Sequence, residues 1–252
     1  YVGLFGYVEE AVIGGVKIIE AVISGRDQVG SLVGSASGSD FYLSCSSGTV
    51  TGRGNVGGLI GYHAGGVVVE SYSTANLSGE LNIGGLIGNM NNVTTENCYS
   101  LGEVDGVENI GGLIGFYCEK STVINCYSSG GVSGTVNAGG LIGEGKGKAT
   151  NSYWDEDSSG LSTSAGGEGR TTSEMTYPYS ANTYVDWDFT YLWLQDQDQT
   201  NYGYPFLFRA PGDIIPWPIF SGGDGTVNNP FLVEFDWQLN WIRHSAFINR
   251  NF

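Results

Sequence analysis

The chain has 252 residues, of which 42 are glycine, 10 are Lys or Arg and 26 are Asp or Glu, for a formal charge of −16. That charge, with no basic cluster to offset it, excludes nucleic acid and anionic membrane surfaces as partners. Glycine at about one residue in six, without a G-x-y triplet and with only 6 prolines, excludes collagen, and 40% hydrophobic with 13% aromatic content excludes a disordered chain.

From the first residues a phrase recurs six times: VGLFG at 2–6, VGSLVG at 29–34, VGGLIG at 56–61, IGGLIG at 83–88, IGGLIG at 110–115 and AGGLIG at 138–143. Its leucines, Leu4, Leu32, Leu59, Leu86, Leu113 and Leu141, are 28, 27, 27, 27 and 28 residues apart. A second, apolar-polar stretch follows in each unit: FYLSCSSG at 41–48, VVVESYST at 67–74, TTENCYSLG at 94–102, TVINCYSSG at 122–130 and ATNSYWD at 149–155. A third, shorter element ends in glycine, as in GTVTG at 48–52, NLSG at 76–79, GEVDG at 102–106 and GGVSG at 130–134. Three short β-type stretches separated by Gly or Ser turns, with no helical periodicity between them, describe one rung of a solenoid. Residues 1–153 are therefore predicted to form an all-β, right-handed parallel β-helix of about six coils, the hand following the crossover rule.

In-register stacking of such rungs turns sequence columns into ladders at the strand spacing of about 4.8 Å. The expected ladders are an aliphatic spine from Leu4 to Leu141, an asparagine ladder of Asn97, Asn125 and Asn151, and a tyrosine stack of Tyr72, Tyr99, Tyr127 and Tyr153.

Residues 154–220 lose glycine and gain aromatics and proline. Thr171 and Glu174 fit a capping box for a short helix around 173–176. Trp187, Phe189, Tyr191, Trp193, Tyr204, Phe206 and Phe208 are available to cover the end of the solenoid, which would otherwise expose strand edges. From Ser221 to Phe252 a new section starts, with a strand expected at 231–234 and a helix capped by Asp236.

VGGLIG followed by N-C-Y-S and G-x-V-x-G resembles the GLUG repeat of large secreted and cell-surface proteins. The stretches 151–175, 185–193 and 201–208 resemble the closing segment of such arrays, and 221–252 resembles the lead-in to a fresh one. The resemblance implies an extracellular or cell-surface location and a structural or adhesive role. The chain reads as a piece that begins inside one array and ends inside the start of another.

No catalytic constellation emerges. Glu70, Glu96, Glu103 and Asp105 are scattered, Arg53 stands alone in the middle coils, and His63 and His244 lie in different sections, so no enzyme activity is expected. Asp155, Glu156 and Asp157 offer the oxygens Ca²⁺ prefers but lack a D-x-D-x-[DN]-G loop, and read as a solvated acidic turn. Cys98 and Cys126 share a column and read as buried structural thiols. No cofactor and no metal is expected, and no apolar run is long enough for membrane insertion. The candidate functional surface is an assembly interface: Val2, Leu4 and Phe5 on the first coil, and Phe231, Val233, Phe235, Leu239 and Ile242 in the tail. Its expected partners are other copies or neighbouring segments of the same protein, joined head to tail, with surface glycans as a further class. A polysaccharide-binding or polysaccharide-cleaving β-helix is the alternative function.

Overall fold

The computed structural model describes residues 1–208 and shows the β-solenoid that the repeat requires. All the strand pairs in the solenoid are parallel and join each coil to the next, with partners 26 to 28 residues apart, as in Val56 to Ile83 and Ile83 to Ile110. Three sheets form the walls. Coil four illustrates the path: Leu81–Gly84 lies in one sheet, Ile87–Glu96 in a second, and Tyr99–Ser100 and Val104–Asp105 in the third. Each second stretch is therefore two strands rather than one, because a residue in its middle turns a corner. In successive coils that residue is Leu43, Glu70, Asn97, Asn125 or Asn151, all with φ between 46° and 53°. Asparagine occupies this left-handed conformation readily, and Leu43 and Glu70 occupy it at a cost of about 1 kcal/mol each.

These corner asparagines do not form the expected ladder. The Oδ1 atoms of Asn97 and Asn125 are buried without a hydrogen bond. The amide ladder runs instead through the residue before each repeat phrase: Asn82 Nδ2 donates to Asn55 Oδ1 at 2.8 Å, Asn109 to Asn82 at 2.8 Å and Asn137 to Asn109 at 2.9 Å.

The residue after each corner carries a second relay that joins the coils. Ser44, Ser71, Cys98, Cys126 and Ser152 each donate to the carbonyl two residues back, at 2.8 to 3.2 Å. Each also accepts a backbone N–H from the preceding coil: Val16 to Ser44, Ser44 to Ser71, Ser71 to Cys98, Cys98 to Cys126 and Cys126 to Ser152. The two cysteines are free and buried, doing in their coils what serine does in the others. Replacing both, Cys98→Ser with Cys126→Ser, is expected to keep the fold and lower its stability by about 1 kcal/mol, since hydroxyl for thiol preserves the relay and loses a little apolar burial. A double variant that fails to fold under oxidising conditions, seen by circular dichroism, would show that a disulfide had formed there.

Two hydrophobic cores run inside the stack. Leu32, Leu59, Leu86, Leu113 and Leu141 line the larger, and Val29, Val56, Ile83 and Ile110 the smaller. They are separated by a seam where serines of one wall touch glycines of the opposite wall. Ser46 Oγ donates to the Gly58 carbonyl at 2.7 Å, as Ser128 Oγ does to Gly140. A Cβ on Gly85 would collide with Ser100 Oγ and with the Gly112 carbonyl, so the second glycine of the last four phrases, Gly58, Gly85, Gly112 and Gly140, is the spacer that lets the walls meet.

Leu4 is not part of the spine. It is 61% exposed, whereas the five later leucines are fully buried. The phrase VGLFG is one residue shorter than VGGLIG, so the backbone lacks the extra residue that rotates the later leucines inward. Accordingly Leu4 N donates to the Ser31 carbonyl, whereas each of Leu32, Leu59, Leu86 and Leu113 donates to the leucine carbonyl of the next coil.

The closing segment does two jobs. Residues 163–170 cover the last coil: Ser164 Oγ accepts from Leu141 N and Ile142 N, Ala165 N donates to Ile142 O, and Glu168–Arg170 adds a strand beside Tyr153–Asp155. The aromatic run lies elsewhere than expected. Tyr184, Trp187, Trp193 and Tyr204 pack on the solenoid's flank against the tyrosine column, while Tyr191 and Phe208 are exposed. Tyrosine rings standing out from a sheet leave an apolar flank that must be covered, and this is what the run covers. Tyr72, Tyr99 and Tyr127 stack at 4.6 and 5.0 Å, but the next ring on Tyr127 is Tyr204 at 5.8 Å, and Tyr153 turns to meet Tyr184 edge-on beneath Arg170. The helix Thr172–Met175 has the expected capping box of Thr171 and Glu174.

Candidate functional site

The first coil is the open end of the solenoid. Its strands Phe5–Glu9, Val12–Gly14 and Lys17–Ser24 pair with the second coil on one side only among the described residues. A row of free N–H and C=O groups is a template for a further strand. Of the residues expected to form the interface, Val2 bridges to Val29 and packs half-buried against the smaller core. Leu4 and Phe5, at 61% and 41% exposure, face solvent, so Val2 is not part of a patch with them. Phe231, Val233, Phe235, Leu239 and Ile242 lie outside the described residues.

Further exposed apolar groups were not singled out by the sequence reading. Tyr1 and Tyr7 sit with ring centroids 5.9 Å apart, and Ile19 and Val22 project from Lys17–Ser24. Alternation in KIIEAVIS was the available signal for the last two, but it is broken by a bulge between Ile18 and Ala21, where Glu20 takes φ 52°. The opposite end presents no comparable edge along Ile142–Gly145 or Tyr153–Asp155, because residues 163–170 lie there.

Several charged groups have structural partners among the described residues. Asp27 accepts a bidentate pair from Arg53 of the next coil at 3.0 Å. Both are exposed, so the pair contributes little. Asp155, expected in a solvated turn, is fully buried, since its carboxylate caps the helix Glu156–Ser159 and accepts from the hydroxyls of Thr172 and Tyr204. Asp196 is buried as well. Burial pushes its pKa up, but hydrogen bonds from Thr200, Gly203 and Asn201 outweigh that and hold it below the usual value. Hydrogen bonds from Thr171 likewise lower Glu174. Glu70 lies at a corner, Glu96 accepts from Asn97 Nδ2, and Asp105 is exposed, so these three have separate structural surroundings.

No protein-family model matches the chain, and no curated protein matches it. Among the described residues no helix is long and apolar enough to cross a membrane.

Proposed function

We propose that the chain is a non-enzymatic structural module of a large extracellular surface protein, of the GLUG-repeat kind, in which the solenoid is a rigid rod continued from its first coil. The observation that supports this reading is the difference between the two ends among the described residues: residues 163–170 lie over Ile142 and add a strand beside Tyr153–Asp155, whereas all three strands of the first coil pair on one side only, with Leu4 and Phe5 exposed. Rods that grow by adding strands need such an edge, and heterologous contacts of this kind extend rather than close. The segment proposed to cover it is the tail around Phe231, Val233 and Phe235 of another copy, or of a neighbouring part of the parent protein.

Deleting residues 221–252 tests this. The full chain should form elongated assemblies with rising concentration, by sedimentation and electron microscopy, and the truncated chain should stay single while keeping its far-ultraviolet β-signal. Assembly at the same concentration without the tail would overturn the docking, and turnover of a polysaccharide by the purified chain would overturn the non-enzymatic reading.

A further inference from the structure

His63 is the one histidine among the described residues, and it lies where a positive charge has nowhere to go. It sits inside the larger core in the column Ala36, His63, Met90, and is fully buried. Its Nε2 is 2.9 Å from the Ser39 carbonyl. A carbonyl only accepts, so Nε2 carries the proton and Nδ1 is the bare lone pair. Nδ1 is buried with no partner, and Phe41 meets the ring edge-on at 5.2 Å.

The surrounding strands supply no counter-ion to the ring. Val33–Ser37 has no titratable side chain, and Ile60–Val69 has only Tyr62 besides His63. Asp40–Tyr42 carries Asp40, whose Oδ1 accepts from Val67 N, and Tyr42, and Ile87–Glu96 carries Glu96 at its far end. Glu10 approaches the neighbouring turn at Gly38. Burial lowers the ring's pKa to about 4, opposed in part by the backbone of Ser39, with which Nε2 bonds, and by that of Gly65.

The groups that hold this corner are also the ones that join coils one, two and three. The Ser39 carbonyl packs so closely on Gly66 that a Cβ there would collide with it, Gly65 and Gly66 take φ 72° and 106°, and Ala11 N of the first coil donates to Ser39 Oγ at 3.1 Å. We propose that His63 is an acid-sensitive latch: protonation of its buried imidazole opens the Ser39/Gly65-Gly66 corner and releases the first two coils, while coils four to six stay formed. The direction follows from one-dimensional coupling, since the released coils are at the open end and the others are clamped by residues 163–170 and the aromatic flank.

The sign of the effect is fixed. With a folded-state pKa below the unfolded value of 6.5, the imidazole costs nothing above pH 6.5. As pH falls from 6.5 towards 4 the open form takes up a proton that the closed form does not, so the closed form loses ground until the loss levels off near pH 4. At pH 4.5 the opening equilibrium should rise on the order of 100-fold over that at pH 7.5, at tenfold per pKa unit.

Hydrogen exchange of the full chain read by mass spectrometry, corrected for intrinsic rates, tests this at the two pH values. The rise should be confined to the released coils one and two and to the Ile60–Val69 strand edge they uncover, residues 5–69, with 87–155 still protected, and His63→Met, which repeats Met90 of the next coil, should abolish it. Equal pH dependence in the wild type and His63→Met, or a rise spread over all coils, would overturn the latch. Should His63→Met not fold, the ring's own titration in ¹³C-histidine-labelled wild type decides: a midpoint well below 6.5 supports the latch, and one at 6.5 overturns it.

Discussion

Leu86→Asp is expected to cost more than about 5 kcal/mol and to remove the β-signal of several coils together. Leu86 is fully buried midway along the spine, and its backbone N–H donates to the Leu113 carbonyl in the next coil. Replacing the side chain removes about 2 kcal/mol of apolar burial and leaves a carboxylate among Leu59, Leu113 and Ile87, with no cation to pair it. Each coil of a solenoid is stabilised chiefly by its neighbours, so losing the fourth uncouples the third from the fifth. Far-ultraviolet circular dichroism during thermal unfolding checks this. An unchanged midpoint would mean that Leu86 does not point into the core.

The period and the inward leucines were legible because every coil repeats the same steric problem. The alignment also carried a warning about Leu4, since VGLFG is a residue short, but its consequence depends on a backbone rotation that only the hydrogen bonds show. The asparagine ladder was assigned to the wrong column for a related reason. Both columns, Asn97 and Asn82, place asparagine in the left-handed region, and composition cannot tell which amide faces its counterpart in the next coil. The relay of Ser44, Ser71, Cys98, Cys126 and Ser152 was visible as a column of small polar or thiol residues, but its meaning lies in N–H groups from the preceding coil. The aromatic run has no repeat to set its place, so its packing on the flank follows from tertiary contacts alone. As for the candidate site, the open outer edge of the first coil was legible, whereas the inward turn of Val2 and the exposure of Ile19 and Val22 depend on register and on a bulge.

Glycine substitutions should divide sharply by position, and the pair Gly115→Ala and Gly131→Ala isolates the cause. Gly115 ends one repeat phrase where two walls meet backbone to backbone. A Cβ there would lie 2.5 Å from the Gly88 carbonyl oxygen, 2.6 Å from Ile83 N and 2.7 Å from the Asn82 carbonyl carbon. All three atoms are main chain in paired strands, so no rotamer can relieve the overlap, and the walls must separate across both cores. The expected cost is about 4 kcal/mol or more, at the high end of what overpacking produces. At Gly131 the nearest atoms to a Cβ are 3.8 and 3.9 Å away, an ordinary contact distance, and φ is outside the left-handed region. There alanine should be neutral or stabilise by up to about 1 kcal/mol, because it narrows the unfolded ensemble without straining the folded one. Thermal midpoints of the two variants should therefore move apart, Gly115→Ala falling steeply and Gly131→Ala holding or rising. If both fell equally, the requirement for glycine would come from backbone conformation in general rather than from the contact between walls. If neither fell, the walls would be farther apart than the seam between Ser46 and Gly58 requires.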